Sequence, residues 1–172
     1  MVQQKIYTKN KMKRLTIWTD GACSGNGQAG ARAGYGVYFE GRDWDISKRL
    51  RGKQTNNCAE LYAVYAALKR VYYREKEPCE LYFRIDNKIA LNTLLETRRA
   101  GANWNIISKL YKVRDVLIKR GFIINGKHVS AHVGIPGNER ADKLATVGAK
   151  KKERLQSLDT ETSEIMGILD RY

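Results

Sequence analysis

The chain has 172 residues, 42% of them hydrophobic, and a net charge of +14 at pH 7. This length fits one domain with its own core, and the apolar content excludes an intrinsically disordered chain. No apolar run reaches the roughly 20 residues of a membrane-spanning helix, and the cysteines lack the number and spacing of a disulfide framework or a zinc site, which favours a reducing, cytoplasmic environment.

The positive charge favours a polyanionic partner, and nucleic acid is the usual one. The alternatives are a solvated basic surface and attraction to anionic lipid, and the second is weaker because no strongly amphipathic basic helix is evident. Residues 1–14 carry several basic side chains, no acid and no apolar core of the signal-peptide type. We therefore expect a basic arm at 1–14, one domain at 15–152 and a polar tail, with a short helix as an alternative, at 153–172.

The first predicted element is a buried central strand. Leu15 to Thr19 is a β-branched and aromatic run that ends at Asp20, and a glycine-rich turn follows at 21–30. The next two strands are predicted at Gly34–Phe39 and Trp44–Arg51, joined by a hairpin.

Helices and strands alternate in the rest of the chain. From Leu61 the apolar residues recur at spacings of three and four, which predicts an amphipathic helix capped by Asn57 with Glu60 in its first turn. The later elements are a strand at Leu81–Ile85 ending at Asp86, helices at Asn87–Glu96 and Trp104–Arg120, a strand at Phe122–Val129, and a helix at 138–152 capped by Asn138. This order predicts an α/β fold with a mixed sheet, in which the first strand has a hairpin partner on one side and parallel neighbours on the other.

Four acids fall at comparable places in this scheme. Asp20 and Asp86 end neighbouring parallel strands, and Glu60 and Asp142 lie in first turns of helices. Each has a structural alternative: a turn residue for Asp20, a capping box with Asn57 for Glu60, a strand-to-helix turn for Asp86 and a helix-dipole partner for Asp142. Because four anions on one rim repel one another unless a cation neutralises them, together they favour a divalent-cation site, with Mg²⁺ as the natural ion.

A histidine lies near the same rim. His132 belongs to a glycine-containing loop ten residues before Asp142. A single histidine is more often structural than catalytic, but this position suits a role in proton transfer.

Four segments carry a resemblance to a known family. TDGACSGN, TNNCAEL, IDN and AHVGIPGNERADKLA, in this order and spacing, resemble the type 1 ribonuclease H family from about Leu15 to Lys151. The resemblance implies a ribonuclease H-like α/β fold, a five-stranded mixed sheet in the order 3-2-1-4-5 with helices on both faces. It also implies cleavage of the RNA strand of RNA–DNA hybrids.

The family's catalytic residues can be matched one by one. Asp20, Glu60, Asp86 and Asp142 match its acidic quartet, and His132 matches its mobile histidine. The resemblance implies hydrolysis with two Mg²⁺ ions per site, Mn²⁺ being a substitute, and products with 5′-phosphate and 3′-hydroxyl ends.

The resemblance also implies substrate contacts. Asn26, Asn56 and Asn57 match positions near the RNA, and amide side chains suit 2′-hydroxyls because both donate and accept. Thr55 and Lys53 match part of a pocket for a DNA phosphate, in which lysine keeps the charge of the more common arginine without its bidentate geometry. Turn and cap chemistry is the alternative for the asparagines, above all for Asn57.

Two departures from the family pattern concern the acids and the histidine. Ala131 stands where the family usually has glycine, and Ile85 and Asn87 flank Asp86 in place of Thr and Ser. Because Ile85 cannot hydrogen-bond, the polar support of Asp86 is expected to differ.

Four interpretations of the chain stay open at this point. They are a stand-alone enzyme, a catalytically silent hybrid-binding module, the nuclease domain of a reverse transcriptase, and a DNA-directed relative such as a junction resolvase or integrase. The presence of all four acids favours an enzyme, the TNNCAEL segment disfavours the DNA-directed relative, and the initial methionine and compact length slightly favour a stand-alone protein. We expect a monomer that binds RNA–DNA hybrid and no membrane.

Overall fold

The computed structural model describes residues 12–97, 101–131 and 133–152. The predictions for most of the basic arm and for the tail at 153–172 lie outside these residues. Within the described ranges, no helix has both the length and the apolar character to cross a bilayer.

One sheet organises the fold. Its five strands have the order β3-β2-β1-β4-β5, as the family resemblance implied. The strands are β1 (Arg14–Ser24), β2 (Arg32–Phe39), β3 (Ile46–Arg49), β4 (Glu80–Ile85) and β5 (Ile123–His128). β1 is antiparallel to β2 and parallel to β4, so the predicted mixed sheet with a hairpin on one side of the central strand is confirmed.

Helices cover both faces of the sheet. They are α1 (Asn56–Arg74), α2 (Lys88–Leu95), α3 (Trp104–Lys119) and α4 (Pro136–Lys150). Alternation along β1 separates the two layers, because Leu15 and Ile17 belong to the large core with α1, α2 and α3, whereas Trp18 packs with Ala141 of α4.

The central strand is longer than predicted. The parallel ladder with β4 stops where Thr19 pairs with Ile85, but the antiparallel ladder with β2 continues until Ser24 pairs with Arg32. The prediction that the strand ends at Asp20, and the alternative of a turn at this residue, are therefore wrong. Asp20 lies inside a strand, at the point where one of its two neighbours has ended.

Two helices begin at residues other than those predicted. Thr55, and not Asn57, caps α1, and its Oγ1 accepts a hydrogen bond of 3.3 Å from the backbone N–H of Cys58. α4 begins at Pro136, which has no N–H to satisfy, so the predicted cap at Asn138 is wrong. Glu60 and Asp142 consequently lie beyond the first turns of their helices.

Glycines bring these two helices against the sheet. A Cβ atom on Gly21 of β1 would lie 2.7 Å from the carbonyl carbon of Ala59 and closer still to the backbone N of Glu60. On the opposite face, a Cβ on Gly36 of β2 would overlap the backbone of α4. Both helices therefore contact bare strand backbone, which lets their acids reach β1.

Candidate active site

Three of the predicted acids meet where the parallel pairing of β1 with β4 ends. Asp20 in β1, Glu60 in α1 and Asp86 just after β4 each offer an oxygen that lies within 4.8 Å of the others. Asp20 and Glu60 are buried, with 6% and 3% exposed surface, and Asp86 is half-buried. The sequence-based prediction that these residues converge is confirmed for this group of three.

The fourth acid lies beside them. Asp142 lines the same cavity of about 290 Å³ as the three other acids, and its carboxylate is close enough to Asp20 to raise the pKa of that residue. It does not belong to the group of oxygens within 4.8 Å. The cavity thus contains a compact triad with Asp142 at its border.

Electrostatics show how unfavourable this arrangement is without a counter-charge. Burial, together with the charges of Asp86 and Asp142, raises the pKa of Asp20 to about 8. Burial, and then the charges of Asp20 and Asp86, raises the pKa of Glu60 well above its usual value. One oxygen of Glu60, Oε2, is buried and has no hydrogen-bond partner among the described residues. A cation at this position would give Glu60 Oε2 the partner that it lacks and would offset the repulsion among the carboxylates.

Asp86 is supported by side chains that the sequence interpretation did not assign to the site. The Nδ2 of Asn138 donates a hydrogen bond of 3.1 Å to Asp86 Oδ2, and the Nε2 of His128 lies 2.9 Å from the backbone carbonyl oxygen of Asp86. Asn138 is 3% exposed, and its own Oδ1 is buried without a partner in the described part of the chain. A sequence signal existed for Asn138, because it precedes Asp142 by four residues and so shares its face of α4.

The flanking residues of Asp86 have structural roles. Ile85 is fully buried in the core, and Asn87 caps α2 by accepting a hydrogen bond of 3.0 Å from the N–H of Ala90. The polar support of the Asp86 carboxylate therefore comes from α4, through the hydrogen bond from Asn138, and not from the two residues that flank Asp86 in the sequence.

The residues matched to substrate contacts lie around the start of α1. Asn26, in the turn after β1, accepts a hydrogen bond of 3.1 Å from the backbone N–H of Asn56. Asn57 and Lys53 are exposed, and Thr55 is half-buried. Lys53 also lines a second cavity of about 480 Å³ together with Trp104 at the start of α3.

His132 lies outside the described residues. Its neighbour Ala131 lines the acidic cavity, so the preceding loop reaches the site. The proposed role of the histidine in proton transfer stays a prediction.

Comparison with known sequences points to one family. A family model described as RNase H matches residues 12–150. The chain is 35% identical to ribonuclease H of Saccharomyces cerevisiae over 163 residues, covering 81% of this chain and 47% of that protein. It is 33% identical to human ribonuclease H1 over 148 residues, covering 81% of this chain and 51% of that protein. This chain therefore spans about half the length of these relatives. A ribonuclease H of Paracidovorax citrulli is 35% identical over 153 residues, covering 81% of this chain and 97% of that protein.

Solved structures of the same fold agree with this comparison. The N-terminal RNase H domain of a Mycobacterium tuberculosis protein superimposes with a TM-score of 0.62 at 22% identity, covering 80% of this chain and 99% of that one. A ribonuclease H1 in complex with an RNA/DNA hybrid has a TM-score of 0.62 at 21% identity, covering 78% of this chain and 96% of that one. At these identities the likeness concerns the fold.

Proposed function

The chain belongs to the ribonuclease H family, and from this premise we propose that it is an endonuclease that hydrolyses the RNA strand of RNA–DNA hybrids. The products carry 5′-phosphate and 3′-hydroxyl ends. The observation that carries the proposal is the convergence of Asp20, Glu60 and Asp86, whose oxygens lie within 4.8 Å of one another in a cavity. The net charge of +14 supports a polyanionic substrate. The hybrid bound by a protein of the same fold supports the choice of polyanion.

The donor set fits hard divalent cations. Carboxylate oxygens are the ligands that Mg²⁺ and Mn²⁺ prefer, and the unpartnered Oε2 of Glu60 is a ligand atom without another function in the described structure. We propose that Asp20, Glu60, Asp86 and Asp142 hold two Mg²⁺ ions, for which Mn²⁺ can substitute. When bound, the ions supply an activated water and stabilisation of the leaving 3′ oxygen.

The chain's own residues prepare this site. The charges of both Asp86 and Asp142 act on Asp20, so Asp20 is close enough to each of them to share a bound cation. The backbone N–H of Gly21 donates a hydrogen bond of 2.8 Å to Asp20 Oδ1 and fixes the orientation of that carboxylate. We assign proton transfer to His132 on the family resemblance.

Strand choice is assigned to the start of α1. We propose that Asn26, Asn56 and Asn57 contact the RNA strand, whose 2′-hydroxyls need both donors and acceptors. Asn57 does not cap α1 and is exposed, which supports this role. Lys53 and Thr55 contact a phosphate of the DNA strand: the Thr55 oxygen accepts a hydrogen bond from Cys58, and its hydroxyl proton remains to be donated.

The test is a gel assay with hybrid labelled on the RNA strand. We expect Mg²⁺-dependent cleavage that stops in excess chelator, and a rate at least about a hundredfold lower for Asp20→Asn, since loss of even a group supporting a metal ligand costs 10–100-fold. Asp43→Asn is the matched control because Asp43 is exposed in the hairpin between β2 and β3. Cleavage that persists with chelator would refute the metal-dependent mechanism, and hybrid binding without cleavage would favour the silent module.

Substrate selectivity needs a separate comparison. The assay is repeated with single-stranded RNA and duplex DNA of the same sequence, at two salt concentrations because phosphate contacts are screened. We expect both to be poor substrates. Comparable rates on all three would contradict the assignment of strand choice to the asparagines.

A further inference from the structure

The side chain of Gln54 replaces a strand at the edge of the sheet. The pairing of β2 with β3 ends at the pair of Gly34 and Arg49. Ala33, which precedes Gly34 in β2, therefore has no residue of β3 opposite its N–H. Gln54 Oε1 accepts a hydrogen bond of 2.9 Å from this N–H. The Ala33 carbonyl oxygen accepts from the backbone N–H of Leu50 at 2.8 Å. The amide therefore continues the ladder beyond the end of β3.

The other end of the same amide closes the loop that follows β3. Its Nε2 donates to the carbonyl oxygens of Leu50, at 2.9 Å, and Gly52, at 2.8 Å. Gly52 has φ of +79°, a conformation that side chains rarely adopt, so the loop turns sharply around the amide. Three hydrogen bonds from one side chain thus determine the path of residues 50–54.

This loop carries the residues assigned to a DNA phosphate. Lys53 stands between Gly52 and Gln54, and the N–H of Thr55 donates to the Lys53 carbonyl oxygen at 3.2 Å. Thr55 in turn caps α1. An ammonium group on a long flexible stem binds a phosphate well only when its backbone is held in place, because ordering the chain costs free energy.

We propose that Gln54 is a positioning residue for nucleic-acid binding, whose amide holds the loop so that Lys53 and Thr55 face the same phosphate. The inference rests on the proposed function, since it requires these two residues to contact substrate. Gln54 itself contacts backbone groups and no acid of the site. Its loss therefore weakens substrate binding and leaves the chemical step unchanged.

The test uses Gln54→Glu, which keeps the shape of the side chain and places a carboxylate oxygen opposite two carbonyl oxygens. We expect KM for hybrid to rise about tenfold, kcat to stay within about twofold, and the slope of log affinity against log salt to fall by about 1, as for one lost phosphate contact. Gln28→Glu is the matched control, because Gln28 is exposed in the turn after β1 and its replacement by glutamate adds the same negative charge as Gln54→Glu does. The neutral variant Gln54→Met should reproduce the effect on KM.

A double-mutant cycle with Lys53→Ala separates positioning from general destabilisation. If Gln54 acts through Lys53, Gln54→Glu should raise KM by less than about threefold when Lys53 is already alanine. A full tenfold rise in that background, an equal effect of Gln28→Glu, or a fall in kcat at unchanged KM would overturn the proposal. If Gln54→Glu does not unfold cooperatively on heating, the proposal is judged from the KM and kcat of Gln54→Met. Failure of both variants to fold would also overturn the proposal. Absence of cleavage by the unmodified chain would instead refute the proposed function.

Discussion

Replacement of Gly21 by alanine tests whether close contact between α1 and β1 creates the acidic site. Gly21 has an ordinary φ, so alanine introduces no backbone strain, and its effect comes from the space that the new methyl group occupies. That methyl group would meet the backbone of Ala59 and Glu60 in α1. It therefore displaces the helix that carries Glu60, while none of the four acidic residues is itself replaced.

The expected displacement follows from the distances. The carbonyl carbon of Ala59 would have to move from 2.7 Å to at least the 3.4 Å at which ordinary contact begins, a retreat of about 0.7 Å, and Glu60 N would have to move further. Mg²⁺ demands near-ideal distances of about 2.0–2.1 Å, and a misplacement of about 1 Å commonly costs about a hundredfold in rate. Overpacking should also lower the free energy of unfolding by about 1–3 kcal/mol.

The assay measures kcat on labelled hybrid at saturating Mg²⁺ together with thermal unfolding. We expect kcat to fall about a hundredfold and Tm to fall by about 2–12 °C. Gly101→Ala is the control because Gly101 has an ordinary φ and no atom of the described residues lies within 4 Å of the position that a Cβ would take there, so its kcat should not change. A folded Gly21→Ala protein with unchanged kcat would show that Glu60 is not needed at its observed distance from Asp20, and the reasoning would fail.

Three further predictions concern the same site. Because the pKa of Asp20 is raised to about 8, its contribution to the stability of the metal-free protein should be fully present below the ordinary carboxyl pKa and be lost as pH rises towards 8. Thermal melts should show saturating Mg²⁺ raising Tm by about 5–10 °C at pH 8, and no shift would argue against a metal site. Asn138→Ala should lower kcat about 10–100-fold and weaken the apparent Mg²⁺ affinity, because Asp86 loses the hydrogen bond from Asn138. An unchanged Mg²⁺ titration of activity would contradict the role of Asn138 in holding Asp86. Gly36→Ala should lower the free energy of unfolding by about 1–3 kcal/mol and reduce kcat, because its methyl group pushes α4 and Asp142 away from β2; urea unfolding with matched activity assays measures both, and full activity would show that α4 can shift without consequence.

Local patterns predicted the elements of the fold but not their ends. The period of apolar residues placed α1 and α3 correctly, because burial of one helix face repeats along the helix itself. The end of β1 depends on two other strands: β4 stops pairing at Thr19, and β2 continues to Ser24. An Asp-Gly pair in isolation indicates a turn, and only the second neighbour keeps it extended.

The helix caps show the same limit. Asn57 and Asn138 are both good capping residues, and each was predicted to cap its helix. Thr55 caps α1, and Pro136 starts α4 without a side-chain cap. These starts differ from the predictions by a few residues, and the displacement matters because Asn138 is thereby inside α4 and faces Asp86.

The amino-acid sequence alone determined the order of strands and helices, the family and the identity of the acids, because these depend on side-chain type and spacing along the chain. Tertiary structure decided how the acids are held. The lack of a side chain at Gly21 allows α1 to pack closely against β1. Asn138 donates a hydrogen bond to Asp86, from which it is separated by 52 residues in the sequence. Burial raises the free-energy cost of the negative charge on Asp20. The physical reason is that distances between elements, and the water excluded there, depend on packing between distant segments, and no local pattern contains that information.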